Sequence, residues 1–83
     1  MTVDLERMRK SLGLRQIDVA DATGINVISI TLYEQGKRLP TVKRAKVLAD
    51  FYTKNGLKLN WTQFFEDVNY DRLELQTKNP ETK

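Results

Sequence analysis

A chain of 83 residues with 40% hydrophobic content holds apolar material for one compact core and leaves no room for a second domain. Cysteine and histidine are both absent, which excludes disulfide frameworks, the common zinc sites and thiol or imidazole catalysis together. The net charge of +3 is uneven: residues 1–58 carry 11 basic and 6 acidic side chains, whereas residues 59–83 carry 3 and 5. A basic balance of this kind is permissive for a polyanionic partner, because the electrostatic effect depends on clustering rather than totals.

Leu5, Met8 and Leu12 recur at i, i+3 and i+7 and predict a first helix, with Thr2 as N-cap, Asp4 and Glu6 at the positive end of its dipole and Gly13 as its stop. A second, from about Arg15 to Thr23, carries Ile17, Val19 and Ala20 and ends at Gly24, which supplies a left-handed cap. Asn26 caps a third, which ends at Gly36. After Pro40, Thr41 opens the fourth and most amphipathic helix, where Val42, Ala45, Leu48, Ala49 and Tyr52 keep helical spacing until Asn55-Gly56. Asn60 caps a fifth from Trp61 to about Val68, whose Trp61, Phe64, Phe65 and Val68 close a small core.

Beyond Asn69 the chain is polar and uncapped. Leu73 and Leu75 alternate with charged neighbours over a span too short to choose between helix, strand and tail, and residues 77–83 are expected to be disordered. The division expected is a domain over 1–69 and a tail over 70–83. Apolar runs are only a few residues long and Met1 is followed by Thr-Val-Asp-Leu-Glu, so neither a membrane span nor a secretory signal is expected, and a cytoplasmic protein is.

The most informative segment is Gln16 to Tyr33. Ala20 is small where two helices crossing at a tight turn approach most closely, Gly24 takes the turn position that needs a positive φ, and Val19, Ile25, Ile30 and Tyr33 are the inward positions. Gln, Ala, Gly, Ile and Tyr at offsets 0, 4, 8, 14 and 17 form a joint pattern with a low chance rate. Together with Met8-Arg9, Gly13-Leu14-Arg15-Gln16, Gly36-Lys37-Arg38-Leu39-Pro40-Thr41 and Leu48-Ala49, it resembles the lambda-repressor and Cro helix-turn-helix family, also called XRE-like, over roughly residues 5 to 56.

The resemblance implies an all-α, compact five-helix DNA-binding domain with a short polar C-terminal tail, the motif spanning 16–35. Its third helix would face the major groove while helix N-termini and basic side chains grip phosphates. Carried over by position, Gln16 matches a backbone-contacting glutamine. Val27, Ile28, Thr31 and Leu32 match outward recognition positions, and Gln35, Lys37 and Arg38 match phosphate-contacting positions just beyond. Arg15, like Arg9, reads equally as a phosphate ligand or an internal ion-pair partner, and Lys37, Arg38, Lys43, Arg44 and Lys46 as phosphate contacts or a solvated face. The family also implies a small switch component of a phage or mobile element.

On a helical wheel at about 100° per residue, Ile30 and Tyr33 fall on one side and Ile28, Thr31, Leu32 and Gln35 on the other, with Val27 on its flank. Arg, Lys, Asn and Gln usually read bases, and aliphatic side chains recognise only the thymine methyl. Exposed aliphatics also forgo about 1.5–3 kcal/mol each that a partner would recover by burying them. Two roles stay open: a regulator that binds double-stranded DNA, and an antirepressor or modulator that docks Val27, Ile28 and Leu32 on another transcription regulator. The same patch, or Tyr70 to Leu75, is also a candidate homodimer interface. Asp18, Asp21, Glu34 and Asp50 are spread along helices with no nucleophile, phosphate loop or ligand cluster beside them, so no enzyme activity, cofactor or metal is expected.

Overall fold

The computed structural model describes residues 3–66, and among these the chain forms four α-helices and one 3-10 turn, with no strand. They are α1 (Leu5–Ser11), α2 (Gln16–Thr23), α3 (Val27–Glu34), α4 (Val42–Lys54) and the 3-10 turn Trp61–Phe65. No helix among the described residues is long and apolar enough to cross a membrane. The expected features at Thr2, Val68 and residues 70–83, including the domain boundary and the Tyr70–Leu75 segment, lie outside the described residues.

Local hydrogen bonding explains where the helices begin. Asn26 accepts from the Ile28 amide at 2.8 Å, Thr41 from Arg44 at 3.2 Å and Asn60 from Thr62 at 3.1 Å, each satisfying an amide that the first turn leaves without an intrahelical partner. For α1 the cap is Asp4 rather than Thr2: its carboxylate accepts from the Arg7 amide at 3.0 Å and adds a charge favourable to the dipole. Arg15 precedes α2 as its N-cap instead of opening the helix, and its amide donates to the Asp18 carboxylate at 2.8 Å.

The fifth element is one 3-10 turn, not an α-helix. Gln63 N–H donates to the Asn60 carbonyl at 2.9 Å, and the Asn60 amide donates back to Gln63 Oε1 at 2.7 Å. The backbone bond spans three residues, the spacing of a 3-10 rather than an α turn, while the Gln63 side chain closes an N-terminal box like the one Asp18 makes on Arg15.

α2 packs on α3 and α4, α1 on α3, and the 3-10 turn on α4. Tyr33, Tyr52, Phe64, Leu48 and Val19 are the largest fully buried side chains, so every packed element except α1 contributes at least one, and α1 adds the buried Leu5. Burial, reinforced by the Glu34 carboxylate, pushes the Tyr52 phenol up to about 12 from an ordinary value near 10. The folded state therefore favours the neutral phenol. Its contribution is complete below about pH 10 and is lost as pH rises towards 12, an expected decline of about 2–3 kcal/mol. Chemical denaturation across that window should show the decline in the wild type and a flatter profile in Tyr52→Phe; parallel profiles would place its cause elsewhere.

Candidate nucleic-acid interface

Two glycines set the geometry around α3. Gly24 has φ +74° and closes α2 by donating to the Ala20 carbonyl at 2.9 Å, a left-handed position that strains any residue with a Cβ. Thr23 Oγ1 ties down the same corner, donating to the Val19 carbonyl at 2.7 Å and accepting from the Ile25 amide at 3.3 Å. At the far end Gly36, φ +73°, donates to Tyr33 O at 3.2 Å while Lys37 N–H reaches Leu32 O at 3.0 Å. That pair of bonds is a Schellman closure, and it carries Lys37 and Arg38 directly off the end of α3.

A polar network joins three helices behind this surface. Arg9 Nε donates to Glu34 Oε2 at 2.7 Å, Arg9 Nη2 to Glu34 Oε1 at 3.0 Å and Arg9 Nη1 to the Leu14 carbonyl at 2.9 Å. The two side chains are only 10% and 4% exposed. Gln16 Nε2 also donates to Glu34 Oε1 at 3.0 Å, and Gln16 Oε1 accepts from Thr31 Oγ1 at 2.8 Å. A chain of hydrogen bonds thus runs from α1 through the end of α3 to the start of α2 and back to the middle of α3. Arg44 secures the other flank, donating from Nη1 to Tyr33 Oη at 2.9 Å and to Ser29 Oγ at 3.3 Å.

These bonds assign internal partners to several side chains with two candidate roles. Arg9 is an ion-pair partner, held charged above its ordinary range chiefly by its hydrogen bonds to Glu34. Arg15 pairs with Asp18 on the surface, Nη2 to Oδ1 at 3.0 Å, which raises the guanidinium's pKa. Hydrogen bonds from the Arg15 side chain and then its amide lower the Asp18 carboxyl. Arg44 points to α3, and Lys46 stands 5.0 Å over the Trp61 ring. Lys37, Arg38 and Lys43 are exposed, and none pairs with an acid among the described residues.

The outward face of α3 is less apolar than the wheel implies. Ile28 is 66% exposed, but Val27 is half-buried against the core and Leu32 is half-buried. Val27 begins the helix beside the turn, so its side chain folds towards the α2–α3 crossing. A wheel drawn for an isolated helix cannot register a neighbour. Thr31 and Gln16 are half-buried and bonded to each other, and Gln35 is exposed as the C-cap residue. Ile17, an apolar residue of α2, is 43% exposed and lines a shallow hollow with Val27, Gly24, Asn26 and Asp21.

Glu34, read from sequence as one of four acids spread along the helices, is the hub of the network. The i+18 offset from Gln16 carries no helical signal, so only the crossing of α2 and α3 reveals the contact. Among the described residues no group of three or more acids is placed to hold a metal ion.

A family model described as helix-turn-helix matches residues 5–56, more than half of the chain. Neither the curated proteins nor the solved structures gave a match. The glycine-turned α2–α3 pair occupies the centre of the matched span, so the chain belongs to the helix-turn-helix family of the XRE and lambda-repressor-like kind, a family of DNA-binding regulators.

Proposed function

We propose that this protein is a cytoplasmic transcriptional regulator of the lambda-repressor and Cro type that binds double-stranded DNA through α3 and the residues just after it. The observation that carries the reading is the cationic exit from α3, unpaired among the described residues. Lys37 and Arg38 emerge exposed from the Gly36 closure, beside exposed Gln35 and just after the helix on which Ile28 faces solvent. Phosphate contacts from Lys37, Arg38 and Arg15 would supply affinity and register, with Gln16 supporting α3 and using its second amide hydrogen on the backbone. Reading of symmetric half-sites would use a homodimer.

Titration of a randomised operator-length duplex at two salt concentrations tests this reading. Affinity should fall with salt, and a Lys37→Ser, Arg38→Ser double variant should bind more weakly, with a log–log salt slope shallower by about 2. Failure of the wild type to bind any duplex at low salt would remove the DNA reading.

A second reading is favoured by the exposure of Ile28 and Ile17 beside Val27, and by the mutual engagement of Thr31 and Gln16. An antirepressor would cover this apolar surface with another helix-turn-helix regulator. Its mark is release of that regulator from its operator by a protein that itself binds no duplex.

A further inference from the structure

The polar groups that would read base edges from the front and middle of α3 are already engaged inside the protein. Thr31 Oγ1 lies 2.8 Å from Gln16 Oε1 and 3.0 Å from the Val27 carbonyl, and Gln16 Nε2 is bonded to Glu34. Ser29 is 7% exposed and accepts from Arg44. At that end of the helix the surface offers Ile28, with the half-buried Val27 beside it. Lys37, Arg38 and Lys43, none paired with an acid among the described residues, complement a polyanion, and the first two follow directly on the helix that exposes Ile28. In the major groove the apolar group that distinguishes one base is the C5 methyl of thymine.

We propose that α3 selects DNA through the C5 methyl groups of pyrimidines, with Ile28 as the principal reader and Val27 beside it, while the basic exit from the helix holds the phosphates. The inference rests on the DNA-binding reading above and names the chemistry that reading leaves open. Burying one carbon group changes affinity by about fourfold, so each methyl removed from a contacted thymine lowers affinity by about that factor.

The test selects the tightest duplex from a randomised pool and resynthesises it with deoxyuridine for every thymidine. Wild type should bind the uracil duplex at least about fourfold more weakly, with the same salt dependence, since no phosphate contact changes. Ile28→Ser should lose most of the preference between the two duplexes, and because Ile28 is a surface residue this variant should unfold at the wild-type midpoint. Equal wild-type affinity for the two duplexes overturns the inference and leaves DNA binding standing. A preference that survives undiminished in Ile28→Ser overturns it too, because the principal reader would then contribute nothing and discrimination would come from elsewhere, such as DNA shape. Absence of binding to any duplex at low salt overturns both readings.

Discussion

Glu34→Ala is expected to destabilise the fold by about 3–5 kcal/mol, the range for removing one partner of a buried ion pair. The guanidinium of Arg9 would keep its bond to the Leu14 carbonyl but lose both carboxylate oxygens in a site where it is 10% exposed. Gln16 would lose an acceptor at the same time, loosening its hold on Thr31. Proteins carry roughly 0.05–0.15 kcal/mol of stability per residue, so the loss takes a large share of the total in a chain this small. Urea denaturation followed by circular dichroism should show the midpoint falling steeply. A companion variant, Arg9→Met with Glu34→Leu, removes both charges and should lie much closer to wild type, separating the cost of an orphaned charge from the worth of the pair. An unchanged midpoint in Glu34→Ala would mean that the α1–α3 ion pair contributes nothing to stability.

A loss of similar size, about 3–5 kcal/mol, is expected for Phe64→Ala. Phe64 is fully buried and belongs to the 3-10 turn packed on α4, so truncation leaves a ring-sized void that the short turn has few ways to collapse. With about 4–8 °C of melting temperature per kcal/mol in a domain of this size, the transition should drop by more than ten degrees. A shift of only a few degrees in calorimetry would show that the turn contributes little and that the remaining helices fold without it.

The caps and glycine turns were legible in the chain because their physics is local. Asn26, Thr41 and Asn60 each satisfy an amide two or three residues ahead, and Gly24 and Gly36 adopt a φ that other residues resist. The inward positions Val19, Ile25, Ile30 and Tyr33 are all buried as the motif predicts, since their pattern encodes a helix pair crossing at one turn. Local signals fail where two choices lie within a few residues. Asp4 displaces Thr2 as the first cap, and the expected fifth helix is a 3-10 turn behind its Asn60 cap.

Sequence by itself therefore determined the all-helical architecture and the family, because both follow from short-range caps and a fixed spacing of apolar residues. Only the tertiary structure decided which charges face inward. Arg9 and Glu34 are 25 residues apart and Gln16 and Thr31 are 15 apart, distances over which periodicity carries no information. It also decided that α3 leaves Ile28 exposed while Val27 and Leu32 are half-buried. Burial is a property of the neighbours a folded chain brings together, and no helix read alone contains it.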